Sequence, residues 1–240
     1  MKLVVDSHTH TLASSHAYST VSELAQAASA RNLAILAITD HAPEIEDGAP
    51  MLHFMNYHVL PKEMYGVQMR YGVELNILDF TGRVDFDADL LKRQDLCIAS
   101  FHEKATQPGT LAENTAAYLG AMDNPYVNII GHPDDGNIPV DFLALVQKAK
   151  ETNVLIEVNN SSLRAAYYRK NTRENLCTIL ALCKRYEVPV VLGTDAHFAG
   201  AVGDFAEAQA LLEEQEFPES LVANTSVEKY LTLLARRREA

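Results

Sequence analysis

Val4-Val5-Asp6-Ser7-His8-Thr9-His10 is the stretch that decides how this chain is read. Leu3, Val4 and Val5 run straight into an acid and two histidines one residue apart. Extended backbone sends alternate side chains to the same side, so His8 and His10 leave the end of a strand together. Two neutral imidazoles held this way make half of a transition-metal site. An isolated His-x-His is a weak signal, and its weight comes from what other segments bring beside it.

Working outward, apolar runs of strand length alternate with helical ones. Residues 2–5 form the first strand. Thr20-Val21-Ser22-Glu23 is a capping box that opens a helix to Arg31. The apolar run 33–39 reads as a strand buried on both faces, and Asp40-His41 follows it. Residues 67–73 are the third strand, with Glu74 at its end, and 76–85 make an excursion turning at Thr81-Gly82. Strands four to seven are 96–100, 127–130, 154–158 and 188–192. Helices are expected over 111–122, 141–150, 173–186, 205–214 and 227–237. Seven strand–helix units with short connections imply parallel strands and right-handed crossovers. The expected fold is therefore α/β, a TIM-like (β/α)7 barrel with seven strands rather than eight, spanning residues 1–240 as one domain. No G-x-G-x-x-G or P-loop supports an open doubly wound sheet instead.

The metal-capable side chains collect at one end of these strands. His8 and His10 follow the first strand, His41 the second, Glu74 the third, His102 the fourth and His132 the fifth. Asp195 and His197 follow the seventh, and His16 lies in the loop beyond the His-x-His pair. Barrel active sites form at the C-terminal ends of the strands. Seven histidines and two carboxylates are nine ligands, whereas one closed zinc shell needs four. The count points to three metals sharing one carboxylate. Glu74 is the candidate bridge, because a carboxylate offers two oxygens. Nitrogen-rich ligation favours zinc, then manganese or iron.

The resemblance is then specific. Asp6-Ser7-His8-Thr9-His10, His16, Ile38-Thr39-Asp40-His41, Gly72-Val73-Glu74, Ser100-Phe101-His102, Gly131-His132-Pro133 and Gly193-Thr194-Asp195-Ala196-His197 resemble, in order, the signature of the PHP (polymerase and histidinol phosphatase) family. Ala13-Ser14-Ser15-His16-Ala17-Tyr18-Ser19-Thr20, His53-Phe54 and Glu157-Val158-Asn159-Asn160-Ser161-Ser162 look closest to the YcdX-type phosphatases. That resemblance implies a seven-stranded distorted barrel, a trinuclear metal site and phosphoesterase activity. It also implies the ligand sets: His8, His10, Glu74 and Asp195 for one metal, Glu74, His102 and His132 for the second, His16, His41 and His197 for the third. Asp134-Asp135 after His132 departs from the family pattern and bears on substrate identity.

The leading reading is hydrolysis of a phosphate monoester by a hydroxide held in that centre. Asp195 and Asp40 are the catalytic candidates, Asp195 as donor of a proton to the leaving group. Asp6 and Asp40 are also placed to orient neighbouring imidazoles. Arg169 and Lys170, with Asn160 in the turn before them, are candidate contacts to a small phosphorylated substrate. His53 is a candidate for the mouth of the site, and Glu157 reads as half of a structural ion pair. Alternatives are a phosphodiesterase or exonuclease, an amidohydrolase, and a non-enzymatic metal-binding protein. The amidohydrolase lacks its bridging lysine at Phe101-His102.

Composition sets the bounds. A net charge of −12 argues against a protein that grips nucleic acid by a basic face. No apolar run reaches the roughly 18 residues that cross a bilayer. Three cysteines without a C-x-x-C suggest thiols rather than a disulfide framework. A cytoplasmic location is expected.

Overall fold

The computed structural model describes residues 1–164 and 168–239. It alternates strand and helix from β1 (Val5–Asp6) through α1 (Val21–Ala30) to β2 (Ile35–Ile38). A short helix, α2 (Met51–Met55), and a two-residue strand, β3 (Glu63–Met64), intervene before β4 (Val67–Tyr71). There follow β5 (Val73–Asn76), α3 (Ala88–Leu91), β6 (Cys97–Ser100) and α4 (Leu111–Asp123). Then come β7 (Ile129–Ile130), α5 (Phe142–Thr152), β8 (Leu155–Asn159) and α6 (Asn160–Arg164). The last elements are α7 (Thr172–Tyr186), β9 (Val190–Gly193), α8 (Ala206–Glu214) and α9 (Val227–Glu239). Capping explains where the helices begin. Thr20 with Glu23 and Thr110 with Glu113 each form the reciprocal box expected of S/T-x-x-E. Asp141 accepts the amides of Leu143 and Ala144 ahead of α5.

The predicted third strand is two strands. β1, β2 and β4 pair in parallel, β3 adds antiparallel to β4, and the order is β1-β2-β4-β3. A second, all-parallel sheet runs β5-β6-β7-β8-β9. The chain changes sheets at Gly72. Its amide still donates to Ile38 O (2.8 Å), whereas that of Val73 donates to Leu96 O (3.2 Å). A Cβ at position 72 would lie 2.3 Å from Leu96 O, so only glycine permits this approach. Isolated parallel bridges, His41 with Glu74 and Thr9 with Ala196, join strand ends of the two sheets. The first joins two metal-capable residues, and the second joins the residue between His8 and His10 to the one between Asp195 and His197.

The strands sort their side chains with a period of two. Cys97 and Ala99 of β6 and Ile156 and Val158 of β8 enter the main core with the α1, α4, α5, α7 and α8 residues. Ile98 and Leu155 face the other way, into a smaller apolar cluster with Val5, Ile35, Ala37 and Val191 that Tyr230 and Leu234 of α9 cover. Two residues further along that second face stand Ser100 and Glu157, all buried among polar groups. The same strand face is thus apolar beneath and polar above, and the polar layer is the site.

Candidate metal centre

The His-x-His pair is clamped between two segments. The amide of Asp195 donates to His8 O and that of His10 to Ala196 O, both at 2.9 Å. His8 and His10 are fully buried side by side, ring centroids 5.0 Å apart. Glu74 lies at the centre, as the second residue of β5 rather than beyond a strand's end. Its Oε2 is 2.6 Å from His41 Nδ1, 3.4 Å from His8 Nε2 and 3.6 Å from His10 Nε2. Its Oε1 is 2.9 Å from His132 Nε2 and 3.3 Å from His102 Nε2. The two oxygens of one carboxylate therefore face two different sets of imidazoles.

Neighbours fix which nitrogen each ring presents. His8 Nδ1 lies 2.7 Å from Glu157 Oε1, and His102 Nδ1 2.7 Å from Asn76 Oδ1. His197 Nδ1 lies 3.0 Å from Asp195 O. These oxygens only accept, so each Nδ1 carries a proton, which leaves Nε2 as the ligating nitrogen of the neutral ring. Ser14 Oγ donates to Asp40 Oδ1 (2.7 Å) and so accepts from His10 Nδ1 at 3.4 Å, with the same result. Buried Nε2 of His8, His10 and His197, Nδ1 of His41 and Glu74 Oε2 have no hydrogen-bond partner. Unsatisfied buried acceptors cost about 1–3 kcal/mol each, and here they converge. Three groups have ligand atoms within 4.8 Å of one another: His8, His10 and Glu74; His10, His41 and His197; His41, Glu74 and His102. The donor set fits several divalent cations.

Charge agrees with that fit. Burial raises Glu74 and Asp195, but the surrounding histidines hold both well below the usual carboxylate range. Burial, then His197 and His41, push His10 well below its ordinary value. Burial opposes a charge on His8, yet Glu157, Glu74 and Asp195 overcome it and raise His8 well above. A divalent cation entering there would displace that proton. Two of the expected ligands have left-handed backbone, His132 at φ 27° and Asp195 at φ 54°. Such conformations cost about 1–3 kcal/mol each and persist where surrounding contacts enforce them.

The expected ligands His8, His10, His41, Glu74, His102, His132, Asp195 and His197 are brought together. His16 stands at the rim, 46% exposed, its ring stacked on those of His41 and His197 at 5.2 and 4.3 Å. Burial, then the charges of His197 and His41, lower it to about 4. The described groupings give His41 and His197 to His10 rather than to His16. A cavity of about 660 Å³ opens over Glu74, Asp195 and the histidines, with Phe101, Lys104, Tyr168 and Arg169 among its walls.

Several expectations change. Asp40 does not face that cavity. It is buried and accepts from Thr11 N, Thr11 Oγ1 and Ser14 Oγ at 2.7–2.8 Å. Burial opposes its charge, but the His53 hydrogen bond and His10 bring it down to about 2, so it is an anchor rather than a proton donor. His53 bonds Asp40 at 3.0 Å from behind instead of reaching the mouth. Asp195, held ionised, is likewise no acid. Its partners include His10 (3.1 Å), Asn159 Nδ2 (3.2 Å) and Arg169 (3.5 Å). Asn160 spends its oxygen on the Ala208 amide in the first turn of α8 (3.0 Å). Lys170 is exposed and outside the cavity walls. Arg169 does line the cavity, with Nη1 donating to Ser162 Oγ at 2.6 Å. Asp6 accepts from Thr194 and Gly203 rather than from an imidazole. Sequence reading missed Ser14, Asn76 and Ser100, the last donating to Glu74 Oε1 at 2.7 Å. For Asn76 a signal exists: it is two residues from Glu74 on one strand.

Comparison with known proteins shows the family and the fold. The profile described as PHP domain matches residues 6–238. A probable phosphatase of Acetivibrio thermocellus is 45% identical over 240 residues, covering 100% of this chain and 98% of that protein. Two solved structures share the fold. One is histidinol phosphate phosphatase from Lactococcus lactis, complexed with zinc, L-histidinol and phosphate (TM-score 0.60, 15% identity, 89% of this chain and 94% of that one). The other is a chain of archaeal ribonuclease P with mature tRNA (TM-score 0.60, 18% identity, 98% and 91%). With its profile matched almost end to end and its ligand residues gathered around Glu74, this chain belongs to the PHP domain family.

Proposed function

We propose that the protein is a metal-dependent phosphatase of the YcdX type that hydrolyses a phosphate monoester, with three divalent cations around Glu74. The carrying observation is the pair of Glu74 oxygens aimed at separate imidazole sets, with Nε2 of His8 and His10 and Nδ1 of His41 left without a hydrogen-bond partner. His8, His10, Glu74 and Asp195 would hold one cation, Glu74, His102 and His132 a second, and His16, His41 and His197 a third. Zinc suits so many imidazoles best, ahead of manganese and iron. The name of the 45% identical relative and the zinc and phosphate in the Lactococcus lactis structure support the reading. It includes closure of the two sheets into a distorted seven-stranded barrel through the His41–Glu74 and Thr9–Ala196 bridges. It also takes residues 1–240 as one working domain in the cytoplasm.

The chain's own residues do the following. Glu157, Asn76 and Ser14 fix imidazole tautomers, so lone pairs face the reaction. Bound divalent cations supply Lewis acidity that activates water and offsets phosphoryl charge. Arg169, braced by Ser162 and Asp195, presents a planar donor fork to a phosphoryl oxygen. Asp195 holds Arg169 and stays ionised throughout. A phosphodiesterase acting on nucleic acid would want a basic track. Here Asp47, Glu103 and Asp135 line the cavity against Lys104 and Arg169, and the chain carries −12 overall. The test is to strip metal with a chelator and reconstitute with zinc, manganese or iron. Hydrolysis of aryl phosphates should vanish and return, and full turnover by the stripped protein would overturn the proposal.

A further inference from the structure

Two exposed aromatic rings stand beside the centre, and the chemistry above leaves them unused. Tyr18 is 75% exposed and Phe198 60%. Both line a second cavity of about 310 Å³ that also has Ser161, Asp195 and His197 in its walls. Those three residues line the larger cavity as well, so the two spaces adjoin at expected metal ligands. The rings are held in place. Tyr18 N donates to His197 O (2.8 Å), and Ala199 N to Ser19 Oγ (3.0 Å), clipping the two aromatic segments together. A Cβ at Gly200 would lie 2.9 Å from Phe198 Cε1, so that ring rests against bare backbone while most of it stays open. Arg164, on the same wall, is tied to Asp204 at 2.7 Å.

We propose that Tyr18 and Phe198 form a subsite for a planar aromatic leaving group, a reading that rests on the phosphatase function proposed above. Rings exposed to water next to a polar centre gain most by covering another apolar face. The walls of the larger cavity mix Ile45, Phe101, Ile138 and Tyr168 with the charged Asp47, Glu103, Lys104 and Asp135, so a ring bound there lies among charges. The smaller cavity offers π faces and an immobilised guanidinium within reach of the same ligands. An ester whose phosphate lies at Asp195 and His197 would therefore turn its ring toward Tyr18 and Phe198.

The experiment compares naphthyl phosphate with glycerol phosphate in the metal-loaded protein. It also measures binding of naphthol to metal-free protein by fluorescence anisotropy. The chain has no tryptophan, so naphthol emission is read without interference. In the Tyr18→Ala/Phe198→Ala double variant, the KM ratio of naphthyl to glycerol ester should rise about tenfold, as expected for lost ring–ring contacts. Naphthol binding should weaken in parallel, and Tyr18→Phe should restore both. An unchanged KM ratio with unchanged naphthol binding overturns the subsite while leaving the phosphatase standing. If neither ester is hydrolysed but naphthol binding still depends on the two rings, the subsite stands and the phosphatase reading fails.

Discussion

Replacing Glu157 with Gln perturbs the scaffold behind the metal ligands without removing a ligand. The carboxylate is fully buried. Oε1 takes the proton of His8 Nδ1 at 2.7 Å, and Oε2 accepts from the His132 amide at 2.9 Å and Asn159 Nδ2 at 3.1 Å. Glutamine has the same shape but one acceptor. With its oxygen toward His8, its amide nitrogen confronts two buried donors, and leaving both unsatisfied costs about 2–6 kcal/mol at roughly 1–3 kcal/mol each. With the amide reversed, nitrogen donates to His8 Nδ1, and the imidazole proton moves to Nε2. That atom faces Glu74 Oε2 at 3.4 Å, so His8 is lost as a ligand and metal affinity falls by about 10–100-fold or more. Either orientation has a measurable cost. Urea unfolding of chelator-treated protein reads the first, and titration against a competing chelator reads the second. Wild-type values in both would show that Glu157 does not set the His8 tautomer.

Two further variants probe the centre. Glu74→Gln should lose more than one equivalent of metal and all turnover, because both oxygens serve separate imidazole sets. His16→Ala, at the rim, should lose about one equivalent, as expected for one ligand of a small shell. Elemental analysis with circular dichroism checks both, and loss of one metal or none from folded Glu74→Gln would end the bridging assignment. Gly193→Ala would place a Cβ 2.2 Å from Glu157 Oε1 and 2.6 Å from His8 Cβ. Wedging that pair apart should cost about 1–3 kcal/mol of stability together with metal affinity. An unchanged thermal midpoint and metal content would contradict it.

The alternation of strands and helices was legible because each strand is a short apolar run and several helices carry their own caps. The ligands were legible because they fall just beyond, or just inside, those runs. The break at Gly72 was not. It lies inside an apolar stretch, and its cause is a carbonyl 24 residues away, Leu96 O. Nor does sequence reveal the left-handed backbone of His132 and Asp195, since neither is glycine or asparagine. The roles of Asp40 and Asn160 were misread for a related reason. A carboxylate or amide beside a ligand has the same letter whether it faces a cavity or a backbone amide. Only partners far along the chain, Thr11 and Ser14 for Asp40 and Ala208 for Asn160, tell the two apart.

The clamp on the His-x-His pair joins segments 188 residues apart in the sequence. Asp6 accepts from Thr194 and Gly203, and His8 and His10 are bonded to Asp195 and Ala196. During synthesis, His8 and His10 emerge ahead of these partners by about 190 residues. At translation rates of roughly 5–20 residues per second, that interval is roughly 10–40 s. Throughout it the nascent chain presents an open pair of imidazoles and unpaired strand edges, able to capture a stray cation with the wrong geometry. The site is therefore completed late in synthesis, once Asp195 and Ala196 have left the ribosome.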